Sequence, residues 1–515
     1  MLVKTFGSAV YGVDAATITI EVNVGGDGKL NYVVVGLPDN AVREGISRIE
    51  LALKHSRLRM PRARIVLNLS PADIRKEGTA YDLPMAIGIL ASSAQLIRPE
   101  VLKDYIIMGE LSLDGGILPI KGALPIAIQA RKEKFKGIIL PKQNAREAAI
   151  VNNLEVIGAE NLREVVDFLD GKGGIEPTIV NTRDEFENNS LKSDFDFSDV
   201  KGQDNIKRSL EIAAAGGHNV ILIGPPGAGK TMLAKRFPTI LPPLGLNEAL
   251  ETTKIYSVAG KLSKNASLVY QRPFRSPHHT VSDVALVGGG SNPHPGEISL
   301  AHNGVLFLDE LPEFKRTVLE VMRQPMEERM VTISRSKFSV TYPASFMLVA
   351  SMNPCPCGYF NHPDKECVCA PGVVQKYLNK ISGPLLDRID LHVEVTPVAF
   401  NELSSERKSE KSEVIRERVI RAREIQEKRF SGKDNLHCNA QMEPQLVQEI
   451  CIITDAGKNM LNRAMQKLNL SARAYDRIIK VSRTIADLAG SEDIKTEHLA
   501  EAIQFRSLDR EDWAV

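Results

Sequence analysis

Three features of the sequence predict a multidomain α/β fold. Residues 1–170 alternate β-branched runs, such as Thr17–Val24 and Tyr32–Val35, with amphipathic stretches such as Val42–Leu53. A short apolar run, Val220–Ile223, leads through a glycine-rich turn into a helical stretch, the strand–loop–helix order of a P-loop core. The closing residues show helical periodicity alone, over Gly457–Leu468, Ala472–Leu488 and Thr496–Gln504.

A chain of 515 residues exceeds what one hydrophobic core organises, and at about 100–200 residues per domain it has room for roughly three. Residues 1–170 are expected to form the first α/β unit, and residues 171–199, rich in Gly, Asn, Ser and acid, to form a linker. Residues 200–400 hold the P-loop core, residues 401–435 a charged helical connector, and residues 436–515 an all-helical lid. Within the connector, Ser405–Arg429 interleaves acids and bases and reads as a solvated helix.

Hydrophobic residues at 43% and charged residues at 25% are globular values, which exclude a disordered or fibrous chain. The formal net charge of +1 supplies no global attraction to polyanions, so affinity for nucleic acid has to come from a local basic patch. The longest mostly apolar stretch, Met85–Ile97, is well short of the roughly 20 residues that span a bilayer, and the first residues lack a charged segment followed by an apolar core. A soluble, cytoplasmic protein without membrane partners is expected. Six cysteines are too few for a disulfide scaffold, and four of them crowd between Cys355 and Cys369.

The glycine-rich turn consists of Gly224, Pro225, Pro226, Gly227, Ala228, Gly229, Lys230 and Thr231, a match to G-x-x-x-x-G-K-[ST]. Glycine lets the backbone curl so that N–H groups and the helix N-terminus face phosphates, Lys230 reaches the β and γ oxygens, and the Thr231 hydroxyl suits Mg²⁺. ATP and Mg²⁺ are therefore the expected ligands. The apolar run Val305–Leu308 ends in two acids, of which Asp309 is suited to the Mg²⁺ shell and Glu310 to polarising the attacking water. A third strand, Phe346–Ser351, leads to Asn353, whose amide could orient that water or simply open an Asn-Pro turn.

Cys355, Cys357, Cys367 and Cys369 form two C-x-C pairs separated by nine residues, with His362 as an alternative ligand. Four thiolates in one loop suit a tetrahedral Zn²⁺; free thiols and redox disulfides are the other readings. Met330–Val340 alternates like a hairpin, with Arg335, Lys337 and Phe338 at its tip. That mix of charge and aromatic ring suits tracking a phosphate backbone, although a tip is often basic because it is solvated.

Taken together, Arg272–Thr280, Gly288–Gly290, Pro295–Gly304, the acid pair and Ser351–Gly358 resemble the bacterial magnesium-chelatase-like AAA+ ATPases, the competence protein ComM group, over essentially the whole chain. The resemblance implies that Arg388, in Ser382–Asp390, is an arginine finger reaching a neighbour's γ-phosphate, which requires a ring, expected to be a hexamer. It likewise implies that Arg473, opening a lid helix, is a second sensor of nucleotide state. Arg275, His278 and His279 are expected to make polar contacts and no metal site. In the first unit, Lys76–Leu83 and Gly109–Gly122 resemble the proteolytic domain of Lon, but Ala80 occupies the serine position and Leu124 the lysine position. Without nucleophile and base, acyl transfer has no starting point. Arg62, Arg64, Arg75 and Lys76 are candidate DNA contacts or a charged rim. The implied function is an ATP-driven DNA motor, acting in branch migration during recombination and natural transformation on single-stranded or branched DNA. A second reading is a remodeller of a protein partner, as the chelatase motor subunit drives its partner.

Overall fold

The computed structural model describes residues 1–26, 31–189, 195–263, 266–290, 293–335, 338–362, 364–397, 409–433, 436–468 and 470–506. Seven strands of the first unit form one mixed sheet: β1 (Leu2–Tyr11), β2 (Asp14–Gly25), β3 (Asn31–Val35), β4 (Arg64–Ser70), β5 (Tyr105–Ile107), β6 (Gly137–Pro141) and β7 (Glu155–Ala159), in the order β3-β4-β2-β1-β5-β6-β7. β1 and β2 make an antiparallel hairpin, whereas β5, β6 and β7 run parallel to β1. Alternation in β4 turns Ile65, Leu67 and Leu69 into the core. The helix Asn40–His55 is capped by Asp39, which accepts from the Val42 N–H at 2.8 Å, and it buries Val42, Ile46, Ile49 and Leu53 at helical spacing.

The central sheet is parallel throughout. Its strands are β8 (Val220–Ile223), β9 (Phe274–Arg275), β10 (Val305–Leu308), β13 (Met347–Met352) and β14 (Leu391–Glu394), in the order β9-β10-β13-β8-β14. β8 and β10 are buried at every residue, as strands covered on both faces must be, which is why they read as unbroken apolar runs. Between β10 and β13 the antiparallel hairpin β11 (Met330–Arg335) and β12 (Phe338–Pro343) projects as a separate two-stranded sheet, with Arg335 opposite Phe338. Its turn, and with it Lys337, lies outside the described residues, as do the side chains of Arg335 and Phe338.

The first unit packs on the central one. Leu268 joins the core of the first sheet, the Gly122 N–H donates to the Ser257 carbonyl at 3.1 Å, and the hydroxyl of Tyr11, the last residue of β1, donates to the Ser339 carbonyl of β12 at 2.6 Å. The closing helices Asp455–Lys467, Ala472–Leu488 and Thr496–Gln504 match the expected periodicity closely. Ala472–Leu488 is pinned to the base of the central sheet: buried Asp390 lies 2.9 Å from Arg477 Nη1 and 3.3 Å from His218 Nδ1, and His218 Nε2 lies 2.8 Å from the Thr484 hydroxyl. Burial favours the neutral Asp390 carboxyl, but the Arg477 guanidinium and His218 outweigh it and hold the group well below the usual carboxylate range.

Three expectations need correction. The connector is not a solvated rod. The helix Ser412–Arg429 buries Ile415, Val419, Ala422 and Gln426 against the helix Asp204–Gly216, a one-residue-wide stripe at i, i+4, i+7, i+11 spacing that its many charges conceal in the sequence; residues 398–408 lie outside the described part. The segment expected to be an interdomain linker is not a free coil, for it contains the helix Thr182–Asn189, whose Glu185 pairs with Arg146 at 2.5 Å and accepts from the Tyr270 hydroxyl at 2.6 Å, fastening it to both units. Lys76 is 0% exposed and donates its ammonium to the Pro71 carbonyl, so it is not available to a nucleic acid.

Candidate active site

In a parallel sheet every strand delivers its C-terminal residue to the same edge, and there the central sheet gathers its polar groups. The loop after β8 ends at the helix Lys230–Arg236. Gly224 passes so close to β14 that a Cβ would lie 2.2 Å from the Val395 carbonyl, and Gly227 and Gly229 hold φ of +79° and +84°, where a side chain is strained. Gln203 fastens the loop from outside, donating Nε2 to the carbonyls of Ala228 at 3.0 Å and Thr396 at 3.2 Å.

Lys230 Nζ donates to the carbonyls of Gly224 (2.7 Å) and Pro225 (3.0 Å) and to Asn353 Oδ1 (3.1 Å), so the loop, the lysine and the end of β13 close on one point. Burial lowers the lysine's proton affinity, while Asp309 and Glu310 oppose the shift. The Thr231 hydroxyl donates to Asp309 Oδ2 at 2.7 Å. The other Asp309 oxygen accepts from the buried Ser351 hydroxyl and from the Glu310 N–H at 3.1 Å. A hydroxyl and a carboxylate in direct contact beside a phosphate-sized loop are the donor set that a hard divalent cation takes, so these residues fit Mg²⁺.

Glu310 has left-handed backbone angles, φ 54° and ψ 51°. For a residue with a side chain this costs about 1–3 kcal/mol and clusters at working sites. The turn leaves its carboxylate 58% exposed, with Oε2 3.7 Å from His279 Nδ1. His278 instead faces the Thr280 hydroxyl at 3.0 Å, and Arg275 forks onto Glu297 at 2.6 and 2.8 Å, the polar contacts expected for these residues. Ser351, Gln203 and His279 were not legible as site residues. Ser351 had one signal, a hydroxyl in an otherwise apolar buried strand, and Gln203 had none.

Arg388 and Arg473 are not part of this cluster. Val220 pairs with Leu391, so Arg388 precedes the N-terminal end of β14, and the Asn219 amide holds its carbonyl at 3.0 Å. The length of the four-residue strands, about 10 Å, separates it from its own P-loop. Arg473, 64% exposed, lies 3.6 Å from Asp387 and therefore beside Arg388 at this opposite edge.

The four cysteine sulfurs lie within 4.8 Å of one another, none in a disulfide, with Cys355 to Cys357 at 3.2 Å and Cys357 to Cys367 at 3.5 Å. Ligands about 2.3 Å from one zinc would be about 3.8 Å apart, so the set fits. Burial and the neighbouring Cys357 raise the Cys355 thiol to about 12; at Cys357 burial is outweighed by the Tyr359 N–H and Cys355, which bring it down to about 6. Thiols that cannot all ionise unaided are those a cation stabilises. The same loop backs onto the nucleotide loop: at Gly358, φ +86°, a Cβ would lie 2.5 Å from Pro226 Cδ. His362 Nδ1 accepts from the N–H groups of Asp364 and Lys365.

The Lon-like motifs sit in the first unit, with Ala80 just ahead of the helix Asp82–Ser92 and Leu124 fully buried in the helix Ala123–Lys132.

Family models for the magnesium chelatase subunit ChlI match residues 20–144, 196–403 and 409–506, the last as its C-terminal part. Competence protein ComM of Haemophilus influenzae is 43% identical over 510 residues, 99% of this chain and 98% of its own. The chain belongs to the ComM group of magnesium-chelatase-like AAA+ ATPases. Escherichia coli YifB is 43% identical over 506 residues, covering 98% and 96%. Lon protease 2 of Bacillus subtilis is 29% identical over 157 residues, 28% of this chain and 27% of its own, in keeping with a Lon-like α/β unit. Among the described residues no helix is long and apolar enough to cross a membrane.

Proposed function

We propose that this ComM-group ATPase is a ring-forming DNA motor whose ATP sites lie between subunits. The observation that carries the reading is the division of the polar groups between two edges of one sheet: Lys230, Thr231, Asp309, Glu310 and Asn353 at one, Arg388 and Arg473 at the other. A chain so arranged meets its missing arginines on the next copy, and a repeated head-to-tail contact closes as a ring, in our reading a hexamer. Lys230 exchanges its two loop carbonyls for β and γ oxygens, the loop N–H groups cradle the phosphates, and Asn353, freed from the lysine, orients water for Glu310. Thr231 and Asp309 would hold Mg²⁺, which neutralises charge developing on the phosphates.

The DNA contact is assigned to Arg335, Lys337 and Phe338, on a hairpin inserted between the strands that end in Asp309 and Asn353. The name of the Haemophilus relative favours a role in competence, hence branch migration of strands recombined during transformation, in the cytoplasm. Reversing Arg335 and Lys337 to Glu should weaken DNA binding and flatten its salt dependence by about 0.9 in slope per lost phosphate contact on duplex, or about 0.7 on single strands. An unchanged affinity and slope reject the hairpin as the contact. Absence of wild-type binding even at low salt favours the protein-remodelling reading, to which the ChlI matches along the chain lend weight.

Two further assignments accompany this one. Cys355, Cys357, Cys367 and Cys369 hold a structural Zn²⁺, so elemental analysis of gently purified protein should return about one zinc per chain. A content near zero in protein never exposed to chelator rejects the site. The Lon-like unit, with Ala80 and Leu124 where nucleophile and base would stand, has no peptidase activity and serves as scaffold.

A further inference from the structure

Arg388 is not presented to a neighbouring subunit as it stands. It is 7% exposed, its Nη1 donates to the Pro384 carbonyl at 2.5 Å, and its Nη2 lies 2.5 Å from Glu327 Oε1. Its Nε has no hydrogen-bond partner among the described residues, an expensive state for a buried guanidinium and one that a second position could relieve. The Glu327 side chain is 54% exposed, so the pair has its cation inside and its anion at the surface.

Glu327 belongs to the helix Arg323–Glu328, which runs directly into the hairpin. The next residue but one, Arg329, turns the chain through the left-handed region at φ 56°, and its carbonyl accepts from the Ala344 N–H at 2.8 Å, just beyond β12. Both strands of the hairpin are therefore tied at one residue, two positions from the carboxylate that holds Arg388. A displacement of the hairpin that turns this short helix moves Glu327 with it.

We infer that Glu327 is the positioning residue for Arg388: it parks the arginine inside its own subunit and releases it when the hairpin is engaged. The inference rests on Arg388 acting on a neighbour's nucleotide. It gives the hairpin a direct line to hydrolysis, through charge and one helical turn.

The test uses the full chain and ATP hydrolysis with and without a single-stranded oligonucleotide. Glu327→Gln keeps the size and one acceptor oxygen while losing the charge. Its hydrolysis without DNA should rise about fivefold, the equivalent of about 1 kcal/mol for a partly exposed pair, with the DNA-stimulated rate unchanged, so that stimulation by DNA shrinks by the same factor. Glu327→Asp, too short to span the same gap without strain, should give a smaller rise and serves if the Gln variant melts early. Glu328→Gln, one residue on, should leave both rates alone, and the rise should vanish in Glu327→Gln combined with Arg388→Ala. Unchanged or lowered DNA-free hydrolysis in both Glu327 variants, while Arg388→Ala is inactive, overturns the parking role and leaves the finger intact. A fully active Arg388→Ala overturns both, and a wild type that DNA does not stimulate overturns the link to the hairpin.

Discussion

Lys230→Ala should hydrolyse no ATP above background and should bind it weakly, whereas Glu310→Gln should bind ATP normally and turn it over about 10²–10⁴-fold more slowly. The two effects differ because the two groups act at different stages. The Lys230 ammonium sits where loop and β13 converge, 2.7–3.1 Å from three oxygens, in place to meet the β and γ phosphates as they enter the loop. Glu310 has left-handed backbone angles and a side chain 58% exposed, and the Lys230 contacts that close the loop do not involve it, so its loss should leave the cradle intact and remove only the proposed base. Equilibrium binding of a fluorescent ATP analogue separates the cases. Wild-type turnover by either variant sinks the assignment of the site.

Arg388→Ala and Glu310→Gln should each be nearly inactive alone, the arginine change costing about 10³-fold or more, yet regain hydrolysis when mixed. Arg388→Ala keeps an intact nucleotide cluster and Glu310→Gln keeps an intact arginine edge. In a ring assembled at random from equal amounts, about a quarter of interfaces join the good half of one to the good half of the other, so roughly a quarter of wild-type hydrolysis returns if interfaces fire independently. Size-exclusion chromatography of differently tagged subunits establishes that they co-assemble. Given co-assembly, a mixture as inactive as its parents shows Arg388 to be structural.

The nucleotide cluster was legible because its chemistry is local. Phosphate binding by a loop needs glycine at fixed offsets, and the acid pair and Asn353 each follow directly on the end of a strand, so order along the chain translates into place along one sheet edge. The closing helices were legible from their periodicity. What failed to show were contacts between distant segments: Gln203 strapping the loop, Ser351 holding Asp309, Glu327 covering Arg388. None follows from a pattern, since each depends on which elements the sheet order makes neighbours. The helix Ser412–Arg429 was misread for a related reason, its narrow buried stripe being outvoted by charge in any count over the segment. Lys76 shows the converse, a cation whose burial beneath the Pro71 carbonyl no local sequence feature announces.

The contact of Tyr11 with Ser339 bears on how load would travel. β1 and β2 form a stiff ribbon in a seven-stranded sheet, and its turn reaches across to the hairpin, with Val13 packed among the apolar residues beneath β11 and β12. A pull on the hairpin is therefore not borne by its root at Arg329 alone. It passes into the sheet of the first unit, which either travels with the hairpin as one rigid piece or gives up the Tyr11 hydrogen bond. How far the hairpin can travel is then limited by whichever of these yields first, so the Lon-like unit is placed as ballast and stop for it.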